Sequence, residues 1–135
     1  EQSPQTEQEL ALRREIAEAF GRGDLDSAVR GYLRLVQTVP DSVLSRQQQL
    51  DVANQLMATE RYAQAADAYE RFIRHYGNYE YLPDVQLMLG ILYGRYLHQY
   101  GRARRYLEQA ADRLQDARKR ELAREVLQQV ADRQG

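Results

Sequence analysis

Gln64–Ile73 reads QAADAYERFI, and variants of the same segment stand at Ser27–Val36 (SAVRGYLRLV) and Arg102–Ala111 (RARRYLEQAA). Ala28, Ala65 and Ala103 hold one position in it, and the two intervals between them differ by a single residue. In each copy the small and apolar residues recur at three- and four-residue steps, the period of a helix with one buried face. The stretches upstream repeat too: LDVANQLM (Leu50–Met57) aligns with LMLGILYG (Leu87–Gly94) at the interval that separates Ala28 from Ala65. A fixed period of about 37 residues marks a chain built from stacked helical units, each too small to bury its own apolar face.

Working outward, the pattern predicts seven helices joined by short corners. Residues 1–5 read as a frayed leader. Thr6 and Glu9 form a capping box for a first helix carrying Leu12, Ile16, Ala19 and Phe20. GRGD at Gly21–Asp24 is a turn, with Asp24 as N-cap of a second helix. That helix stops at Val39, because Pro40 disfavours helical backbone at the residue before it. Ser45 with Gln48 caps a third helix, TERY at Thr59–Tyr62 is the next corner, and the fourth helix holds Ala65, Ala66, Tyr69, Phe72 and Ile73. The corner YGNYEYLPD (Tyr76–Asp84) follows. Gly77 is expected to end the fourth helix in the left-handed conformation, and Pro83 to open the fifth. A sixth helix carries Ala103, Tyr106, Leu107, Ala110 and Leu114, and a last one runs from about Asp116.

The unit resembles the tetratricopeptide repeat (TPR). Leu89-Gly90 with Tyr93 matches that family's first helix, and Val52-Ala53 with Leu56 follows it. Ala65 with Tyr69 and Phe72, Ala28 with Tyr32 and Leu35, and Ala103 with Leu107 and Ala110 match the second helix. The first unit departs from the pattern, with Glu15 where the family has leucine. The units also run a few positions longer than the family's usual repeat. The resemblance implies an all-α fold: a right-handed α-solenoid of about three helix pairs, covering about residues 8–40, 45–77 and 83–114. A capping helix at about 116–132 closes it, all within one domain spanning 6–135. The long units look most like TPRs of bacterial envelope proteins, and YEYLPDVQLMLGILYGRYL looks like the tails that follow rhomboid-type membrane proteases. The expected location is therefore bacterial cytoplasm or envelope. The start at Glu1 is read as a processed form or a piece of a longer protein.

Composition narrows the chemistry. The formal net charge is −1, which gives no bulk attraction to nucleic acid or anionic membrane. Cysteine is absent, removing disulfides and thiolate ligands. No apolar run nears the ~18 residues of a membrane span, and no signal peptide is visible. His75 and His98 lie far apart along the chain without carboxylates at ligand spacing, so no metal site is expected. Asp24 and Asp26 read as a cap and a first-turn charge. The serines fall near helix starts and turns, and no Gly-rich phosphate loop occurs. Arg102, Arg104, Arg105, Arg113, Arg118, Lys119 and Arg120 interleave with Glu108, Asp112, Asp116 and Glu121, which reads as an ion-paired face before a nucleic-acid patch.

The resemblance therefore implies a non-catalytic protein-binding module with no cofactor, holding a peptide or helix in a concave groove lined by the first helices. The lining would comprise Arg13, Gln47, Asn54, Met57, Asp84, Ile91 and Arg95. Asp51 and Met88 stand where the family's carboxylate clamp needs polar or basic residues, which counts against a chaperone-tail receptor. Self-association into a homo-oligomer, or service as the soluble regulatory tail of a larger membrane-bound protein, are the alternatives. Eight of the ten tyrosines fall between Tyr69 and Tyr106, which makes the corner tyrosines Tyr76, Tyr79 and Tyr81 either corner packing or an exposed aromatic patch for a partner.

Overall fold

A computed structural model describes residues 3–134. The described residues are all-helical, with seven α-helices, one π-helical turn and no strand. They form two compact units that divide between Arg61 and Tyr62. That division falls inside the expected second repeat. Among the described residues, no helix is long and apolar enough to cross a membrane.

The first unit holds α1 (Pro4–Gly21), α2 (Leu25–Thr38) and α3 (Arg46–Ala58), with α2 packed on both others. Helix α1 starts earlier than its sequence suggests. Ser3 is the N-cap, its Oγ accepting from the Thr6 N–H at 3.1 Å, and Pro4 opens the helix. Ser-Pro wins over the Thr6–Glu9 box because proline is pre-set for the first helical position and lacks the N–H that would need a partner there. The described leader is thus part of a helix, while residues 1 and 2 lie outside the described residues. Asp24 caps α2 as expected, accepting from the Ser27 N–H (3.1 Å) and hydroxyl (2.6 Å). The bonds to Ser27 hold its carboxyl below the usual range. Helix α2 ends at Thr38, with Val39 extended before Pro40. Ser45 is the N-cap of α3 but makes no side-chain capping bond.

The α1–α2 contact explains the departure of the first repeat from its relatives. Ile16 aligns with Ala53 and Gly90 when the repeats are superposed in sequence, so a large residue occupies the small-residue position. Gly31 of α2 lies opposite. A Cβ there would come within 2.8 Å of Ile16 Cγ1. Large and small have changed places across the pair, and both residues are buried. In the other unit the contact has its expected sense, with Gly90 of α5 against Leu107 of α6.

The second unit holds α4 (Tyr62–His75), α5 (Leu82–Ile91), α6 (Tyr100–Ala111) and α7 (Ala117–Gln134). Helix α5 is central, touching α4, α6 and α7. Val85, Leu87, Leu89 and Ile91 are all buried, so α5 is covered on several sides rather than along one stripe. It runs on into a π-helical turn, Leu92–Tyr96, whose Leu92 carbonyl accepts from the Leu97 N–H at 2.9 Å. The Asp116 carboxylate accepts from the Arg118 and Lys119 N–H groups at the start of α7. Ala123, Val126 and Val130 bury the inner face of α7, while Arg118, Glu121, Arg124, Glu125, Gln128 and Asp132 remain exposed.

The corner backbone differs from expectation. Gly77 is not left-handed, since the described positive-φ residues are Gly23 (φ 71°), Glu60 (φ 63°) and His98 (φ 54°). The chain leaves α4 through Tyr76 N–H to Phe72 O (2.7 Å) and Tyr79 N–H to Tyr76 O (3.0 Å), which needs no left-handed residue. Each of the three left-handed residues precedes a closing bond: Asp24 N–H to Ala19 O (2.8 Å), Arg61 N–H to Leu56 O (2.9 Å) and Gln99 N–H to Tyr93 O (2.8 Å). Such bonds satisfy carbonyls that the helix end would leave open.

Candidate functional site

The groove candidates divide into engaged and exposed residues. In the first unit, Arg13 lies on α1, where its Nε donates to Glu9 Oε2 (3.0 Å) and its Nη1 to the Val43 carbonyl (3.2 Å). It braces α1 against the approach to α3. Gln47 is exposed on α3, and its Nε2 donates to Asp51 Oδ1 at 2.8 Å. Asn54 is exposed on the same helix, and Met57 is half-buried.

In the second unit, Asp84 is half-buried in the first turn of α5 and accepts from Lys119 Nζ of α7. That bond raises the Lys119 pKa above its ordinary value. Arg95 is exposed on the π-helical turn, with Nε donating to Gln129 Oε1 (2.9 Å) and Nη2 3.7 Å from Glu125 Oε1. Both residues therefore face α7. Ile91, expected in the lining, is a core residue at 8% exposure. It belongs to the run of apolar residues by which α5 is covered.

The corner tyrosines pack as a chain of rings. Tyr76 tilts against Phe72 with centroids 5.3 Å apart, and Tyr79 meets Phe72 edge-on at 5.2 Å. Tyr81 meets Tyr79 edge-on at 5.8 Å. Such geometry sets positive ring edges against negative faces and adds about 0.5–1.5 kcal/mol per pair beyond area burial. Tyr76 and Tyr79 are half-buried or partly open, and Tyr81 is the largely exposed ring, at 47%. The ring chain closes the corner, and its outer end reaches solvent.

Two polar arrangements escape the helical pattern. Gln49 is fully buried: its Oε1 accepts from the Leu44 N–H (2.9 Å) and its Nε2 donates to the Tyr32 hydroxyl (2.9 Å). Gln86 stands at the equivalent place in the next repeat and is also buried. Its Nε2 donates to Gln109 Oε1 (3.1 Å), but its Oε1 is buried with no hydrogen-bond partner among the described residues. The available signal was a glutamine just ahead of both aligned first-helix stretches.

The second arrangement joins α4, the π-helical turn and α6. Tyr106 donates to Glu70 Oε1 (2.9 Å), and its ring lies nearly parallel to that of Tyr93 at 6.2 Å. Arg102 donates to the Tyr93 hydroxyl (3.1 Å) with its guanidinium 5.3 Å from the ring centroid. Burial, assisted by the bond to Glu70, pushes the Tyr106 phenol up to about 12. An unfolded phenol titrates near ~10, so on rising pH the unfolded chain sheds this proton first. The stability tied to Tyr106 is intact below about pH 10 and drains away as pH climbs toward the folded value. Tyr106→Phe is expected to flatten the loss of stability between about pH 10 and 11 in denaturant melts. An unchanged alkaline slope would contradict this.

Among the described residues, no group of three or more histidine or carboxylate side chains is placed to hold a metal ion. The sequence matches no established family model, and no curated protein is significantly similar to it.

Proposed function

We propose that the chain is a TPR-like solenoid whose first-helix face binds a segment of another protein, without catalysis. The observation that supports it is the recurrence of one backbone event. The left-handed residues Gly23, Glu60 and His98 recur at the same two intervals as Ala28, Ala65 and Ala103. Only one of the three is glycine. Left-handed backbone costs a non-glycine residue energy, and Glu60 and His98 accept it. The corner thus recurs as a shape where its sequence has diverged, as expected of copies of one helix–corner–helix unit.

The exposed side chains on α3, Gln47 and Asn54, with half-buried Met57 one turn on, supply polar anchors beside an apolar one. That mixture suits a peptide or helix laid across a helical face. The polar outer residues of α7 suit a terminal cap, which solenoids need for solubility, and weigh against stacking of copies through that helix.

Chemical crosslinking of the intact protein in lysate, with capture and mass spectrometry, tests the reading. A discrete partner whose capture is lost with Asn54→Arg and kept with Arg118→Ala would support it. No discrete partner, or equal capture by both variants, would overturn it.

A further inference from the structure

Inside the second unit, one second helix meets the next through a single side-chain bond. Helix α6 packs on α5 and reaches α4 by the Tyr106 hydroxyl, which donates to Glu70 Oε1 at 2.9 Å. Glu108 stands on α6 where Glu70 stands on α4, because the interval between them equals that between Ala65 and Ala103. Leu122-Ala123 with Val126 on α7 repeats the spacing of Leu89-Gly90 with Tyr93. In this register the next second helix belongs on α7, within reach of Glu108. That place is open. A recess of ≈ 390 Å³ lies between α6 and α7, lined by Arg104 and Glu108 of α6 and by Leu127, Gln128, Val130 and Ala131 of α7. Glu60 turns the chain seven residues after Ala53, but seven residues after Ala123 stands Val130, inside a helix that runs on to Gln134. Of the ion pairs expected along α6, the described residues show Arg104 with Glu108 at 3.6 Å, both largely exposed. A pair of that kind contributes little, so the Glu108 carboxylate can accept a stronger bond.

We propose that this recess docks an amphipathic helix of a partner protein, patterned as α6 is with Ala103, Tyr106, Leu107 and Ala110. The partner's tyrosine donates to Glu108 as Tyr106 donates to Glu70. Its leucine and small residues, at three- and four-residue steps, cover the side of α7 that carries Leu127, Val130 and Ala131. Small residues are called for because they let α6 itself approach α5 closely, where a Cβ on Gly94 would lie 3.5 Å from Ala103 Cβ. The surface is separate from the first-helix face. It rests on the repeat register that supports the proposed function, and not on the ligand of that function.

The test is fluorescence anisotropy of the intact protein with a labelled peptide that keeps those four residues at their spacing and carries glutamine elsewhere. It is stapled on its outer face, since so short a helix is marginal alone in water. Expected is binding that Ala131→Arg abolishes by filling the recess. Ala117→Arg, the same change elsewhere on α7, and Asn54→Arg on the first-helix face should each shift affinity less than about twofold. Glu108→Ala in the protein, or phenylalanine for the peptide's tyrosine, should each weaken binding about tenfold, the loss of one charge-assisted hydrogen bond. The two together should weaken it no more than either alone, because both remove the same bond. All four protein sites are exposed, and matching thermal melts will verify that the variants fold. No binding, binding that survives Ala131→Arg, or additive effects of the tyrosine and Glu108 changes would each overturn the proposal. So would loss with Asn54→Arg, which puts the peptide on the first-helix face, or a dimer split by Ala131→Arg, which puts a second copy in the recess.

Discussion

Gly90→Ala is expected to lower the free energy of unfolding by about 2 kcal/mol, the middle of the range for overpacking. Helix propensity alone argues the other way, because alanine gains about 1 kcal/mol over glycine inside a helix. Geometry decides between them. An added Cβ would lie 2.4 Å from both Cδ2 and Cγ of Leu107, and Leu107 is fully buried with nowhere to retreat. The cost is therefore specific to that pair. Leu107→Ala alone should cost about 3 kcal/mol as a cavity. Combining the two should cost less than their sum, with a coupling on the order of 2 kcal/mol read from a double-mutant cycle in urea. A stabilised Gly90→Ala, or strict additivity, would refute the close packing of α5 on α6.

The second large effect separates two glutamines at equivalent places. Gln49→Met should cost about 3 kcal/mol, since it removes both the bond from the Leu44 N–H and the bond to the Tyr32 hydroxyl inside the core. Gln86→Met should be near neutral or stabilising. It removes one bond to the exposed Gln109, and with it a buried oxygen that has no partner among the described residues. Burying an amide oxygen unpaired costs energy that a thioether does not incur. Equal losses at the two sites would show that Gln86 holds the core as Gln49 does. Chemical denaturation of the two variants side by side decides it.

The helices were legible because their burial is periodic: Ala28, Tyr32 and Leu35 are all buried on α2, as are Ala65, Tyr69 and Phe72 on α4. Corners were legible in place but not in conformation. Gly77 looked like the left-handed residue, yet Glu60 and His98 carry that conformation, and neither residue type announces it. The candidate lining was hardest to read, because its fate rests on distant partners. Asp84 of α5 meets Lys119 of α7, and Arg95 of the π-helical turn meets Gln129 of α7. No single helical pattern contains both ends of such a bond. Ile91 was misplaced for a related reason, since the all-round apolar coat of α5 gives no hint of which side stays open. The corner tyrosines could not be sorted in sequence between packing and exposure, because the sorting is made by Phe72 of the preceding helix: Tyr76 and Tyr79 pack on its ring, and Tyr81 stands at the exposed end of the corner.

The π-helical turn has a bearing on how this chain tolerates changes in length. The bonds closing the first two helix ends, Asp24 to Ala19 and Arg61 to Leu56, each reach back five residues, whereas Gln99 reaches back six to Tyr93. The interval from Glu60 to His98 is one residue longer than that from Ala53 to Gly90. The surplus residue therefore lies between Gly90 and His98, where Leu92–Tyr96 is wound wide. In an unbroken α-helix one added residue would rotate everything after it by about 100°. Here the wide turn swallows the insertion, and the corner at His98 closes as its predecessors do. The repeat has a slack loop of wire at that point, where a residue can enter or leave without re-facing the helices beyond it.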